Sequence, residues 1–237
     1  MIREVKKIMN NNSKKTDNSK RMILSSKLLW VFSLLVGLSS FAIYPFLPDL
    51  IPTHWGVSGN IDAYSNKAMV FLFAFLPLIF MGLFYIIPKI DPKRKSYQLH
   101  GRAYELVVFS LVIFISAVYF ITTAVAMGYN MPVDTLMKLG MGILFIIMGN
   151  VLSQVRHNYF FGIRTPWTLA SEAVWRRTHR VGSYGFVIAG IFAFISALFK
   201  GTLSFAIMFI PLMILIVFLF VYSYLIFKKL EWEDKNA

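Results

Sequence analysis

The sequence predicts an all-α membrane protein, a polytopic bundle of six transmembrane helices with a short interfacial helix on the cytoplasmic side. Of its 237 residues, 57% are hydrophobic and 15% are charged, unlike the composition of a soluble domain. Several apolar runs reach about 20 residues, the length that crosses a hydrocarbon core about 30 Å thick. The basic residues lie almost entirely in the two terminal tails and in every second connection between the runs. By the positive-inside rule, this distribution fits an even number of spans with both tails in the cytoplasm.

Six segments are long and apolar enough to cross a membrane. They lie at 28–47, 68–88, 104–128, 135–155, 182–199 and 203–227. Residues 1–27 are rich in Asn, Ser and Lys without apolar periodicity, which predicts a disordered basic cytoplasmic tail. The first apolar run begins too late for an ordinary cleaved signal peptide and is interpreted as a retained span. The predicted parts are therefore the tail 1–27, two spans and an extracellular loop in 28–90, a cytoplasmic loop and third span in 91–134, three spans in 135–229, and a cytoplasmic tail 230–237.

The positions of lysine and arginine set the predicted orientation. All but three of the 24 lie in the N-terminal tail, the second and fourth connections or the C-terminal tail. The exceptions are Lys67, Lys138 and Lys200. Both termini are therefore predicted to be cytoplasmic. Topology and attraction to anionic membrane lipids then explain the net charge of +13, which argues against direct nucleic-acid binding.

The fourth connection carries an unusual mixture of residues, NYFFGIRTPWTLASEAVWRRTHRVGSY over 158–184. Pro166 fits the first turn of a helix and Thr165 or Thr168 can cap it, so a short helix is predicted over 166–180. Tryptophan and arginine favour the headgroup level, which favours a structural anchor on the inner membrane surface. An anchor does not require the polar and aromatic turn that precedes the helix, so a binding site for a partner or small ligand is the alternative.

The first connection reads PTHWGVSGNIDAYSNK over 52–67 and is predicted to face outward. Its proline and glycines predict a turned backbone that exposes His54, Trp55 and Asp62. The structural interpretation is a loop between two helices, since one histidine with the two aspartates of the connection, Asp49 and Asp62, is more often solvated surface than a metal site. At the opposite face, Glu105 opens the third span and is a candidate to pair with Arg164 or Arg180.

The string NYFFGIRTPWTLASEAVWRRTHRVGSYGFVIAG closely resembles the signature of the SdpI-type membrane proteins, which are bacteriocin immunity proteins of Gram-positive bacteria. The first connection is similar to the small N-terminal domain of undefined function that often precedes this signature. The resemblance makes 135–229 an SdpI-like region. It implies a protein of the bacterial cell membrane that protects its cell against a secreted toxin peptide. For the best-known member it also implies capture of a cytoplasmic repressor.

Two groups of candidate site residues follow, on opposite faces of the membrane, as in a receptor. The possible toxin-facing loop comprises His54, Trp55, Gly56, Gly59 and Asp62. The candidate partner-binding residues of the cytoplasmic motif are Asn158, Gly162, Arg164, Thr165, Pro166, Trp167, Glu172, Trp175, His179 and Arg180. The predicted partners are membrane lipids, the toxin peptide and the repressor, with the oligomeric state left open.

Other function classes find less support in the sequence. It contains no HExxH, GxSxG, phosphate-cradling glycine loop or dinucleotide fingerprint, so no enzymatic activity and no cofactor are predicted. The absence of cysteine excludes disulfides and thiolate metal sites. A small-solute transporter or channel is the alternative function, although the spans lack the deep carboxylates of an ion-coupled pump.

Overall fold

The computed structural model describes residues 27–57 and 59–236, so the predicted tail lies outside the described residues except for Lys27. Within them, six helices are long and apolar enough to cross a membrane. They are α1 (Lys27–Phe46), α2 (Met69–Ile90), α3 (Tyr97–Ala126), α4 (Val133–Leu152), α6 (Glu172–Ser196) and α7 (Gly201–Lys235). A short α-helix, α5 (Pro166–Ala170), directly precedes α6. The prediction of an all-α, six-span membrane protein is confirmed.

The predicted extent of the short helix was wrong. At Ser171 the backbone is extended, with φ −137° and ψ 124°, so α5 ends after five residues. The Ser171 side chain then accepts a hydrogen bond from the Val174 backbone N–H, and α6 begins at Glu172 instead of 182. The first turns of α6 are amphipathic and follow the helical period, so a search for continuous apolar residues does not detect them.

The last helix also extends beyond its predicted end at 227. Residues of its final turns form ion pairs three or four positions apart, Lys228 and Lys235 with Glu231 and Lys229 with Glu233. Such pairs stabilise a solvated helix. With 35 residues, α7 is about 52 Å long and exceeds the hydrocarbon thickness.

The connection between α1 and α2 forms a β-hairpin, which the sequence had suggested only as a turned loop. Strands β1 (Leu50–Trp55) and β2 (Ile61–Asn66) pair antiparallel, with Leu50 opposite Asn66 and Trp55 opposite Ile61. Ile51 is fully buried and packs in a cluster with Val36, Val70 and Tyr119. The hairpin is therefore fixed to the ends of α1, α2 and α3.

Helices α4 and α6 approach each other closely along small residues. A Cβ atom added to Gly142 would lie 3.0 Å from the Gly190 carbonyl oxygen, and one added to Gly149 would lie 2.7 Å from that of Ser183. Ala189 and Ala193 of α6 are also buried. Small residues at this contact allow the two helix backbones to pack tightly in the bundle core.

The connections fall at two ends of the bundle. The hairpin end contains β1, β2 and the connections 127–132 and 197–200. The motif end contains the connections 91–96 and 153–171 and the last turns of α7.

Candidate functional site

Asn158 organises the turn at the motif end. Its side chain is fully buried. The Oδ1 atom accepts hydrogen bonds from the backbone N–H groups of Phe160 (3.0 Å) and Phe161 (2.6 Å). The Nδ2 atom donates to the carbonyl oxygens of Arg156 (2.8 Å) and Phe161 (2.9 Å). Both donors and the acceptor of the amide are used within the loop, so Asn158 holds the backbone in its turn.

Asp91 joins the connection 91–96 to the connection 153–171. The residue is 1% exposed. It accepts hydrogen bonds from the backbone N–H of Lys93 (2.7 Å), the hydroxyl of Tyr97 (3.0 Å) and the backbone N–H of Tyr159 (2.9 Å). Three donors offset the cost of removing the carboxylate from water.

A second link joins the same connections through His157. The Lys93 ammonium donates to His157 Nδ1 at 2.7 Å, and the Ser96 hydroxyl donates to the His157 carbonyl oxygen at 2.9 Å. Burial lowers the pKa of the His157 imidazole below its ordinary value, and the charge of Lys93 lowers it further. The ring is therefore a neutral acceptor for a lysine.

The stacked rings of Trp175 and His179 attach the loop to α6. Their centroids are 4.0 Å apart, and both side chains are almost fully buried. Trp175 Nε1 donates to the Val155 carbonyl oxygen at 2.9 Å, while His179 Nε2 accepts the backbone N–H of Ile163 at 3.0 Å. His179 is a candidate partner-binding residue, but it is 1% exposed, and its ring is turned into the loop, where it accepts the Ile163 N–H.

Gly162 passes directly over the His179 ring. Its φ is +116°, and an added Cβ atom would lie 2.4 Å from His179 Nε2. Both the backbone conformation and the close approach therefore require glycine.

Two threonines position α5 against α7. Thr165 and Thr168 form a reciprocal capping box, and Pro166 occupies the first helical position. The Thr165 hydroxyl also donates to the Ser223 hydroxyl of α7 at 2.9 Å. The Trp167 ring packs on α7 with its centroid 4.9 Å from that of Phe220. The motif thereby binds the last helix as well as α6.

The candidate partner-binding residues divide by exposure. Asn158, Thr165, Trp175 and His179 are buried, Gly162 and Trp167 are half-buried, and Arg164, Pro166, Glu172 and Arg180 are exposed. The buried residues hold the loop, and the exposed ones form its surface.

The candidate pairing of Glu105 with Arg164 or Arg180 is not observed. Arg164 Nη1 instead donates to the Tyr159 carbonyl oxygen at 3.1 Å. Within residues 27–57 and 59–236, Glu105 forms no ion pair. Glu105 lines a cavity together with Lys89 and Trp30.

At the hairpin end, the candidate toxin-facing residues come together at the turn. His54 Nδ1 lies 2.5 Å from Asp62 Oδ1, and both side chains are at least half exposed. Trp55 is half-buried. A Cβ atom on Gly56 would lie 2.8 Å from Asp62 Oδ2, so glycine leaves room for the carboxylate.

The tip of the hairpin also approaches α4. Gly59 has φ +79°, and a Cβ atom there would lie 3.0 Å from the Cβ atom of Asp134. Asp134 forms an ion pair with Lys138, whose side chain is 6% exposed. The hairpin therefore sits over the first turn of α4.

Sequence reasoning missed the contribution of Asp91, Lys93 and Tyr97, because the connection 91–96 was considered only for its positive charge. The Asp91-Pro92 dipeptide was an available signal, since Asp before Pro favours a turn. In the structure Asp91 forms such a turn through the Lys93 N–H. No group of three potential metal ligands occurs within the described residues.

Comparisons with known proteins find a match at each end of the bundle. The profile described as "SdpI/YfhL protein family" matches residues 154–223, and the profile described as "Domain of unknown function (DUF1648)" matches residues 28–81. The chain is 31% identical over 196 residues to "Immunity protein SdpI" of Bacillus subtilis (strain 168), which covers 82% of this chain and 91% of that protein. No solved structure matches the chain.

Proposed function

The chain belongs to the SdpI/YfhL protein family, and we propose that it is an immunity protein that protects its cell against a secreted antimicrobial toxin peptide. The observation that carries the proposal is the 31% identity to a protein named Immunity protein SdpI, along nearly the whole length of that protein. The action we propose is binding, without a catalytic step.

The proposed location is the bacterial cell membrane, with both termini in the cytoplasm. The distribution of lysine and arginine supports this orientation. The hairpin end then faces outward, where a secreted peptide arrives, and the exposed pair of His54 and Asp62 is its proposed contact. Residues 28–90 would supply the outward-facing hairpin, and the SdpI-like region 135–229 would supply the motif on the cytoplasmic face.

The motif end is the proposed binding surface for a cytoplasmic partner, which we infer to be a repressor protein. Arg164, Glu172 and Arg180 supply exposed charges, while Asn158 and His179 hold the backbone beneath them. A partner would thus meet charged side chains on a rigid support, which lowers the ordering cost of binding.

Expression in a toxin-sensitive bacterium tests the proposal. Cells that carry the full chain should survive toxin that kills cells with an empty vector, and Arg164→Ala or Trp167→Ala should remove protection or signalling at unchanged membrane abundance. Arg177→Ala is the control, because Arg177 is an exposed arginine of α6 outside the candidate set. Survival equal to that of the empty vector would contradict an immunity function.

Two further measurements test the proposed orientation in the membrane and the alternative function as a transporter. An impermeant thiol reagent added to intact cells should label a cysteine placed at Asn60 and should not label one placed at Arg164. The purified protein should move no small solutes across liposome membranes, although the same chain protects a toxin-sensitive strain. Solute flux without protection would instead favour a transporter.

A further inference from the structure

A cavity of about 310 Å³ lies among α1, α2 and α3, near the motif end. This volume is within the range of small-molecule sites. The cavity walls are mostly apolar and aromatic, with Trp30 from α1, Phe84 from α2 and Tyr104 and Val108 from α3. Trp30 is half-buried, and Tyr85 beside it is 58% exposed. The cavity therefore opens sideways, toward the space that lipid occupies around a membrane-spanning bundle.

Two opposite charges line this cavity without pairing with each other. Lys89 belongs to the last turn of α2, and its ammonium lies 3.5 Å from the centroid of the Tyr85 ring. Glu105 belongs to the third turn of α3 and is half-buried. In the part of the chain that the structure describes, neither side chain forms an ion pair with a protein group. An unpaired carboxylate at the edge of a bilayer is costly and favours a cationic partner.

We propose that this cavity binds one phosphatidylethanolamine molecule of the adjacent leaflet. One acyl chain enters between Phe84 and Val108, the phosphate meets the Lys89 ammonium, and the primary ammonium of the headgroup donates hydrogen bonds to Glu105. The arrangement matches a zwitterion because it offers one cation and one carboxylate at the mouth of an apolar cavity. Phosphatidylglycerol could use Lys89 alone. The quaternary ammonium of phosphatidylcholine cannot donate a hydrogen bond to Glu105.

The proposal is independent of the toxin and is tested on the purified full-length protein. The protein is incubated in detergent micelles with equal amounts of phosphatidylethanolamine, phosphatidylcholine and phosphatidylglycerol of the same acyl chains. Bound lipid is then counted by native mass spectrometry. We expect one phosphatidylethanolamine per chain, retained about tenfold more than phosphatidylcholine, which is the effect of one charge-assisted hydrogen bond.

Variants separate a specific site from ordinary surrounding lipid. Glu105→Gln keeps the shape of the side chain but removes its charge, and it should sharply reduce the preference for phosphatidylethanolamine over phosphatidylcholine, because the amide oxygen is only a neutral acceptor. Lys89→Ala should lower retention of all three phospholipids together. Glu231→Gln, in the last turns of α7 far along the chain, is the matched control and should retain the preference. Equal retention of phosphatidylethanolamine and phosphatidylcholine by the natural chain, or an unchanged preference in Glu105→Gln, would overturn the proposal.

Discussion

The backbone N–H of Ile163 donates to Nε2 of His179 at 3.0 Å, and His179 Nδ1 lies 2.9 Å from the carbonyl oxygen of Trp175. An imidazole nitrogen that accepts from an amide carries no proton, so Nδ1 must carry one and donate to Trp175. One neutral tautomer thus joins the loop 153–165 to α6. Protein stability at the motif end should depend on this ring and on the glycine above it.

Replacement of Gly162 by alanine should destabilise the protein by about 3 kcal/mol. The positive φ costs about 1–2 kcal/mol for a residue with a Cβ atom, and the Cβ clash would displace His179 and leave the Ile163 N–H without a partner. Gly128→Ala is a matched control, since Gly128 has φ +91° and open space around it. Gly128→Ala should lose only the stability that the positive φ costs a residue with a Cβ atom, about 1–2 kcal/mol. Thermal denaturation in detergent measures both, and equal losses would contradict the role of the His179 contact.

The Asp91→Asn substitution should lower stability by about 1–3 kcal/mol. The new amide would present N–H donors where Asp91 now accepts from Tyr97 and Tyr159. Thermal denaturation monitored by tryptophan fluorescence is a suitable measurement. Asp234→Asn, at an exposed carboxylate near the end of α7, should leave the midpoint unchanged. A Tyr97→Phe variant should show a smaller loss, because it removes only one of the three donors. If Asp91→Asn matched Asp234→Asn, the carboxylate would not join the two connections.

Lowering the pH should reduce the folding stability of the protein, partly through protonation of His157. The pKa of His157 is lowered in the folded state by burial and by Lys93, although Glu172 and Asp91 oppose part of the effect. The unfolded chain, with a histidine pKa of about 6.5, therefore binds more protons than the folded chain as the pH falls below that value. Stability should decrease there, by at most about 1.4 kcal/mol per pH unit for this group.

The His157→Gln substitution provides the measurement for that contribution. Its stability should fall less than that of the natural chain between pH 7 and pH 5, as followed by thermal midpoints at several pH values. Parallel profiles for the natural chain and His157→Gln would show that His157 does not titrate with unfolding.

The six spans could be predicted because each contains a continuous apolar stretch, which bilayer thickness makes almost obligatory. The start of α6 could not be found in this way. Its first two turns carry Glu172 and Arg176 on the exposed side and bury Val174 and Trp175 on the other. The average hydropathy there is low although the helix is continuous. The helical period of the apolar residues, rather than the average hydropathy, indicates where this helix begins.

The motif was found from its composition, but the roles of its residues depend on contacts distant in sequence. Asp91 meets Tyr159 and Lys93 meets His157, more than 60 positions apart. No local pattern specifies such pairs. Similarly, the hairpin depends on Ile51 reaching a cluster formed by α1, α2 and α3, whereas the proline and glycines of the connection predicted only a turned backbone. Local signals predicted the turns, whereas tertiary packing determined which polar groups became buried.

The hairpin should contribute to protection more than to stability, if the proposed function holds. Asp62→Asn removes the charge that lies 2.5 Å from His54 Nδ1, in a pair that is at least half exposed. Exposed ion pairs contribute little to folding, so the thermal midpoint should hardly change while the toxin concentration that the cells tolerate falls severalfold. Asp49→Asn is the matched control, because Asp49 is also exposed and pairs with Lys67 at 3.1 Å. It should leave both quantities near their natural values. Full protection by Asp62→Asn would place toxin recognition away from the hairpin turn, and an equal loss in both variants would indicate a general effect of negative charge at this end.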